Sequence, residues 1–596
     1  MRPLQSPLLP VLQVLLLTYH HAALAAPRKS SRDEFVVDKA AIAKHEPAFN
    51  SFDGDIFAGH IPMHQRDGND GELYFMMFDA AQKVHDDTII VWLNGGPGCS
   101  SFAGGLFFEM GPIAVPLRPA GFMGSNKLAP LVPNEYAWTK ASAVMYLEQP
   151  AGVGFSTGIE PRNEDDLSSD FYSFFQNFLD IFTDYRHKRL YIIGESYAGY
   201  YAASMAHKVH QMNKKNKDPT RHINLAGVGV GNGWVDAKVQ GEAVIDYAYW
   251  HGMIDQQSKQ ALHEQFQVCL DGGVPKAPLF HAFNVPDECG TMGAVLSAAG
   301  AGALKGAWRG GPNTYDVSTW DMYPVLLGRN GTIDNFFNNP EIREAIHAPT
   351  NVMLWEQCIP GAGRRRLSVD DEGGKTMADV DAEMPHPTDR MLMLEDDRPL
   401  SVMPYISELL DDAGIDVLFY NGDRDMSCCV QGSEKLLNDM AWSGQTNWLN
   451  PYVNQRGLWV VDGEVAGYGK GYKNLQFVVV YNSGHLVPYN VPKPALDLVT
   501  RFLGGESFVD TDLPIYPGVG GGPKAALETV ASAGSNAGGN NGGKGGNNAV
   551  IGILCFVGGI VCSLLLGKFI LHKKQRMYNE VPSIPPSPGL ANVQIG

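Results

Sequence analysis

The sequence predicts an α/β chain built on a mostly parallel sheet covered by helices. Three observations predict it. Over residues 45–235, apolar runs that read as buried strands, such as Thr88-Ile89-Ile90-Val91-Trp92-Leu93 and Ala143-Val144-Met145-Tyr146-Leu147, alternate with helix-like runs. Strand character returns at Asp416-Val417-Leu418-Phe419-Tyr420 and at Phe477-Val478-Val479-Val480-Tyr481. Within the first region Leu190-Tyr191-Ile192-Ile193 runs into Gly194-Glu195-Ser196-Tyr197-Ala198-Gly199. A G-x-S-x-G turn between strand and helix lifts a serine hydroxyl out at the top of such a sheet.

Taken in order, the chain opens with a signal-like segment, residues 1–25. Arg2 gives a positive start, residues 8–17 supply an apolar region, and Ala23-Leu24-Ala25 fits a small-x-small cleavage site. Residues 26–517 follow as a lumenal domain. Its run 171–182 is rich in phenylalanine, which reads as the core face of a helix. Over residues 236–412 the pattern loosens. Residues 298–311 are rich in Gly and Ala, and 361–389 are charged without periodicity, so this region reads as a cap inserted over the sheet edge. Arg364-Arg365-Arg366 within it reads as a solvated loop or a processing site, with the loop favoured. Residues 518–548, rich in Gly, Asn and Ala, have too few large apolar side chains to pack and read as a tether. Residues 549–571 form an apolar stretch that, at about 1.5 Å per residue, can cross a hydrocarbon core of about 30 Å. The basic run His572-Lys573-Lys574-Gln575-Arg576 that follows places residues 572–596 in the cytoplasm. The expectation is a single-pass type I membrane protein with one transmembrane helix.

The 596 residues can bury a large core, and a hydrophobic share of 44% with 18% charged residues fits a globular protein. A net charge of −18 argues against a nucleic-acid partner. Of eight cysteines, Cys555 and Cys562 fall in the span; the other six face an oxidising compartment where disulfides are expected. Asn330-Gly331-Thr332 is an N-glycosylation sequon.

A serine hydroxyl is a weak nucleophile until a base takes its proton, and the base needs an acid to hold its tautomer. In α/β-hydrolases the order along the chain is Ser, Asp, His, the last two in loops after strands. Here Ser196 is followed by Asn421-Gly422-Asp423-Arg424-Asp425-Met426 and by Asn482-Ser483-Gly484-His485-Leu486, each after a predicted strand. Acyl transfer also needs donors aimed at the developing oxyanion. Asn94-Gly95-Gly96-Pro97-Gly98-Cys99 follows the strand ending at Leu93, and the backbone N–H groups of Gly96 and Tyr197 are the candidates. No metal cluster or phosphate-binding loop appears in the sequence, so no cofactor and no metal are expected.

The segments WLNGGPGCSS, YLEQPAGVGFS, GESYAG, GDRDM and NSGHLVPYNVP, spread over residues 45–505, resemble the serine carboxypeptidase family. With the signal, span and tail, the chain further resembles the Kex1-type pheromone-processing carboxypeptidases of fungi. The resemblance implies the α/β-hydrolase fold with an inserted cap and removal of single residues from peptide C-termini. It implies Ser196 as nucleophile, His485 as base and Asp425 as acid, with Asp423 the alternative. It implies that Trp92, Asn94, Glu109 and Glu195 bind the substrate's terminal carboxylate. Cys99 would pair with Cys358 and Cys269 with Cys289, leaving Cys428 as a free thiol near the site. The partners implied are peptides or pro-proteins with free C-termini, trimmed of Lys or Arg after dibasic cleavage in the late secretory pathway. The alternative is a broad-specificity vacuolar or lysosomal-type enzyme. A receptor or chaperone that has kept the fold is a further reading, against which the complete Ser-Asp-His set argues.

Overall fold

The computed structural model describes residues 31–65, 70–116, 130–271, 295, 298–299, 313–319, 332–350, 354–358 and 401–510. The chain divides into two units, residues 1–511 and 512–596, and every described residue belongs to the first. The expected signal segment, Cys289, Asn330, Arg364-Arg365-Arg366, the tether, the span and the tail lie outside the described residues, as does the side chain of Cys269. Among the described residues no helix is long and apolar enough to cross a membrane.

The strands, in chain order, are β1 Gly54–Pro62, β2 Glu72–Ala80, β3 Thr88–Leu93, β4 Ile113–Ala114, β5 Val132–Pro133, β6 Ala143–Glu148, β7 Arg189–Glu195, β8 Leu225–Gly231, β9 Asp416–Gly422, β10 Gln455–Val461, β11 Glu464–Tyr472 and β12 Leu475–Val480. Ten of them form one sheet in the order β1-β2-β6-β3-β7-β8-β9-β12-β11-β10, and β4 pairs with β5. The six central strands, β6 to β12 in that order, run parallel. Antiparallel strands close both edges. The order reverses between β3 and β7, where ligands of open α/β sheets bind beyond the carboxyl ends of the strands. This is an α/β-hydrolase-like fold.

Successive residues of a strand face opposite sides of a sheet, and a sheet covered on both faces needs apolar residues on both. In β7, Leu190 and Ile192 enter one core while Tyr191 and Ile193 enter the other. β2 divides likewise, with Phe75 and Met77 on one side and Tyr74, Met76 and Phe78 on the other. The first core is closed by the helix Glu164–Ile181, which starts where Asn163 accepts a hydrogen bond from the Asp166 N–H and three acidic residues sit in the first turn. Its Phe171, Phe174, Phe175 and Phe178 are buried against the sheet. Each fully buried phenylalanine is worth about 1.5–3 kcal/mol, against a few tenths for a residue's helix propensity, so packing decides this helix.

Two parts of the region between β8 and β9 behave differently. Phe336, Phe337 and Trp355 join the second core of the main body. The helices Ala237–Trp250 and Gln256–Asp271 instead build a third cluster, with Val244, Tyr247 and Phe266 packed over Met426 and Cys429. Cys429, which the sequence left without a role, is therefore an apolar contact beneath these helices.

Candidate active site

The turn after β7 holds Ser196 in the left-handed region, φ 62°. A non-glycine residue rests there only when its surroundings impose it. Ser196 N–H donates to the Gly231 carbonyl (3.1 Å), and the Ser196 carbonyl accepts from Trp234 N–H (2.9 Å) and Gly199 N–H (3.0 Å). The motif glycines are there for space. A Cβ at Gly194 would lie 2.2 Å from the Ala198 carbonyl oxygen, and one at Gly199 would lie 2.5 Å from that of Trp234.

His485 and Asp425 come to the same end of the sheet on the loops after β12 and β9. His485 Nδ1 lies 2.7 Å from Asp425 Oδ2. Oδ2 also accepts from Asn232 Nδ2 (2.7 Å) and Cys428 N–H (3.2 Å), and Oδ1 accepts from Ser427 N–H (2.8 Å). Asp425 is 0% exposed. A buried carboxylate is tolerable only when its lone pairs are met, and these donors meet them. Asp423 is placed otherwise: its Oδ1 accepts from Ser483 N–H (3.1 Å), tying its loop to that of His485. The Tyr315 ring lies 4.5 Å from the His485 ring, and the Tyr315 carbonyl accepts from His485 N–H (2.7 Å). Asn232 and Tyr315 are site residues that sequence reasoning missed. The Gly-Asn-Gly turn after β8 was the available signal for Asn232; Tyr315 had none. The described hydrogen bonds do not include one between Ser196 Oγ and His485. Such bonds commonly form only when substrate closes the site.

The loop after β3 lies against the serine turn. A Cβ at Gly95, next to Gly96, would come 2.4 Å from the Tyr197 nitrogen, so the Gly95 and Tyr197 backbones are neighbours. The same loop is tied down by the Cys99–Cys358 disulfide and by Ser100 N–H donating to the Gln357 carbonyl (2.7 Å). Cys428 and Cys429 are free and buried; burial pushes the Cys428 thiol well above its usual range and Cys429 up to about 12. Neither is a ready thiolate nucleophile.

Trp92, Asn94, Glu109 and Glu195 form one buried group. Asn94 Oδ1 accepts from Trp92 Nε1 (2.7 Å) and Gly105 N–H (2.9 Å). That fixes the amide so that Nδ2 faces Glu109 Oε1 and Glu195 Oε1, 3.4 Å from each. Burial raises both carboxyls; Glu195 is lifted well above the usual range, by burial first and then by the charge of Glu109. Two close buried carboxyls share a proton. Tyr146 and Tyr420 have buried hydroxyls without a hydrogen-bond partner; Glu109 adds to burial in raising Tyr146, and Glu195 and Glu109 add to burial in raising Tyr420. The fields of His485 on Glu109 and of Asp425 on Glu195 place this group beside the His–Asp pair.

A third carboxyl, Glu148, supports the disulfide loop. Its Oε1 accepts from Ser100 Oγ (2.7 Å) and Trp355 Nε1 (3.0 Å), and burial lifts it to about 7. A folded pKa above the unfolded value of 4.5 means that the native state holds the extra proton. Its contribution is present at pH below 4.5, falls as pH rises towards 7, and is lost above that. Wild type should therefore lose up to about 3 kcal/mol between pH 4.5 and 7.5 through this group. Glu148→Gln should remove that part of the slope in urea unfolding of the full chain. An unchanged slope would assign the effect elsewhere.

Residues 47–384 and 387–505 match the family model described as serine carboxypeptidase. Among curated proteins, the chain is 29% identical over 491 residues to the pheromone-processing carboxypeptidase kex1 of Aspergillus fumigatus, covering 78% of this chain and 70% of the relative. It is 31% identical over 448 residues to serine carboxypeptidase 3 of Hordeum vulgare, covering 74% and 76%. Among solved structures, the prohormone-processing carboxypeptidase Kex1Δp of Saccharomyces cerevisiae superposes with a TM-score of 0.63 at 23% identity, covering 81% of this chain and 98% of that one.

Proposed function

This chain belongs to the serine carboxypeptidase family and is a serine-type carboxypeptidase; on that footing we propose that it trims peptide precursors from their C-termini, preferring Lys and Arg, while anchored in a membrane of the late secretory pathway. In this reading Ser196 attacks the last peptide carbonyl and His485 takes its proton, held in the right tautomer by Asp425. The N–H groups of Gly96 and Tyr197 stabilise the oxyanion. His485 then passes the proton to the leaving amine, and water, activated by the same imidazole, releases the shortened peptide. Asn94 Nδ2 and the protonated carboxyl of Glu195 hold the terminal carboxylate. The observation that carries the reading is the Trp92–Asn94–Glu109–Glu195 group beside the serine turn. An endopeptidase or esterase has no use for a buried carboxylate receptor there.

The processing role rests on the names of the fungal relatives, the Lys/Arg preference on the sequence's resemblance to the Kex1-type group, and the membrane anchor on residues 1–25 and 549–571 of the sequence. One observation favours the broader-specificity reading: Phe102 and Ala103, directly after GGPGCSS, bring no acidic side chain. Peptides differing only in the last residue separate the two. Processing predicts kcat/KM at least about tenfold higher for C-terminal Lys than for Phe, the size of one good charge pairing. Equal or reversed rates establish broad trimming instead.

A further inference from the structure

The helix Ala198–Lys215 begins at the serine turn and carries His207 and His210 on one face near its far end. Against it packs the chain entering β9, helical over Met403–Glu408 and continued by a wider turn over Leu409–Ala413. That segment presents Glu408 and Asp412. His210 Nε2 lies 3.9 Å from Glu408 Oε1 and 3.9 Å from Asp412 Oδ2. Both distances are too long for a hydrogen bond, and this nitrogen is buried with no hydrogen-bond partner; His210 is 9% exposed. A buried ring nitrogen aimed between two carboxylates at non-bonding distance is unusual, because leaving it unmet costs about 1–3 kcal/mol.

The three ligand atoms lie within 4.8 Å of one another. Ligands of tetrahedral zinc at about 2.0–2.1 Å sit about 3.4 Å apart, so each carboxylate oxygen needs to close on His210 Nε2 by roughly half an ångström, and the two oxygens on each other by up to roughly 1.4 Å. Glu408 is oriented by its other contacts. Its Oε2 meets His207 Nε2 at 2.9 Å, and Gln211 Nε2 donates to Oε1. His207 in turn is held flat on the Tyr405 ring, centroids 4.2 Å apart and planes 6° from parallel. Carboxylates that ligate metals are themselves held by outer hydrogen bonds. The one cation facing the carboxylates among the described residues is Lys214, with Nζ 2.7 Å from Asp412 Oδ2 and 3.7 Å from Glu408 Oε1. One ammonium against two carboxylates leaves a net negative charge.

We propose that His210, Glu408 and Asp412 bind a borderline divalent cation such as Zn²⁺, with water in the open position, pinning the serine-bearing helix to the segment that enters β9. The ion acts on stability and lies apart from the peptidase site. The full-length chain, equilibrated with Zn²⁺ alone, should take up one ion per chain in equilibrium dialysis and unfold at a higher temperature. His210→Ala and Glu408→Gln should lose both effects while metal-free kcat/KM stays within about twofold of wild type. Lys214→Met, which removes the competing ammonium, should bind Zn²⁺ about five- to tenfold more tightly. If His210→Ala does not fold, the half-exposed Asp412→Asn and Lys214→Met carry the test. Absence of saturable binding overturns the proposal, as does a Lys214→Met variant that binds no more tightly. Binding that persists in both ligand variants and inhibits the peptidase also overturns it, placing the ion at Asp425, Cys428 and His485.

Discussion

Ser196→Ala should lower kcat by about 10⁴–10⁶ with little change in peptide binding, and Asp425→Asn by about 10⁴. The second figure follows from what Asp425 touches. Its carboxylate is fully buried, takes the Nδ1 side of His485 and is met by Asn232 Nδ2 and two backbone N–H groups. An amide there would turn a donor towards His485 or lose its bonds to the loop, and either way the imidazole would present the wrong tautomer to Ser196. Asp423→Asn is the control. Asp423 accepts the Ser483 N–H, a bond that an amide oxygen also accepts, so the loss should be about tenfold or less. Single-turnover rates on a dipeptide blocked at its N-terminus and free at its C-terminus measure all three. Equal losses for Asp423→Asn and Asp425→Asn would move the acid's role or show that both act only through loop geometry. Asn232→Ala should fall between them, because it frees one side of Asp425 without changing its charge.

The site was legible where chemistry follows strand ends. Parallel strands put all their carboxyl ends on one edge, so motifs after β3, β7, β9 and β12 had to meet once the strands were recognised. What escaped was set by tertiary contact. Asn232 adjoins Asp425 only because β8 and β9 are neighbours. Tyr315 reaches His485 from a region without periodicity. Cys429 needed the helices above it to be seen as an apolar contact. The edge hairpin of β10 and β11 was not read as strand, since Gly467, Gly469 and Gly471 dilute its alternation; at Gly467 and Gly469 a Cβ would strike Val479 or Phe508. The His210–Glu408–Asp412 cluster joins residues about 200 positions apart, and no ligand spacing announces it.

KM for peptides should rise with pH, by up to about tenfold per unit above the pair's titration, while KM for C-terminally blocked esters or amides changes little. The sign comes from where the shared proton resides. The charge of Glu109 and its hydrogen bond raise Glu195, whereas Glu195, Asn94 and His485 all act to lower Glu109. The pair therefore keeps one proton between them, with the stronger upward push on Glu195, the residue next to the nucleophile. A protonated carboxyl donates to the substrate carboxylate; once that proton leaves, two negative charges face a third. Blocked substrates lack the terminal charge, so comparing the two substrate classes isolates the part of the pH dependence that belongs to carboxylate binding. Glu195→Gln supplies a donor that cannot ionise. Its KM for peptides should resemble wild type at low pH and stay nearly flat as pH rises. Equal pH dependence for free and blocked C-termini, or a Glu195→Gln profile as steep as wild type, would remove the carboxyl pair from substrate recognition and leave Asn94 as the only donor to the terminal carboxylate.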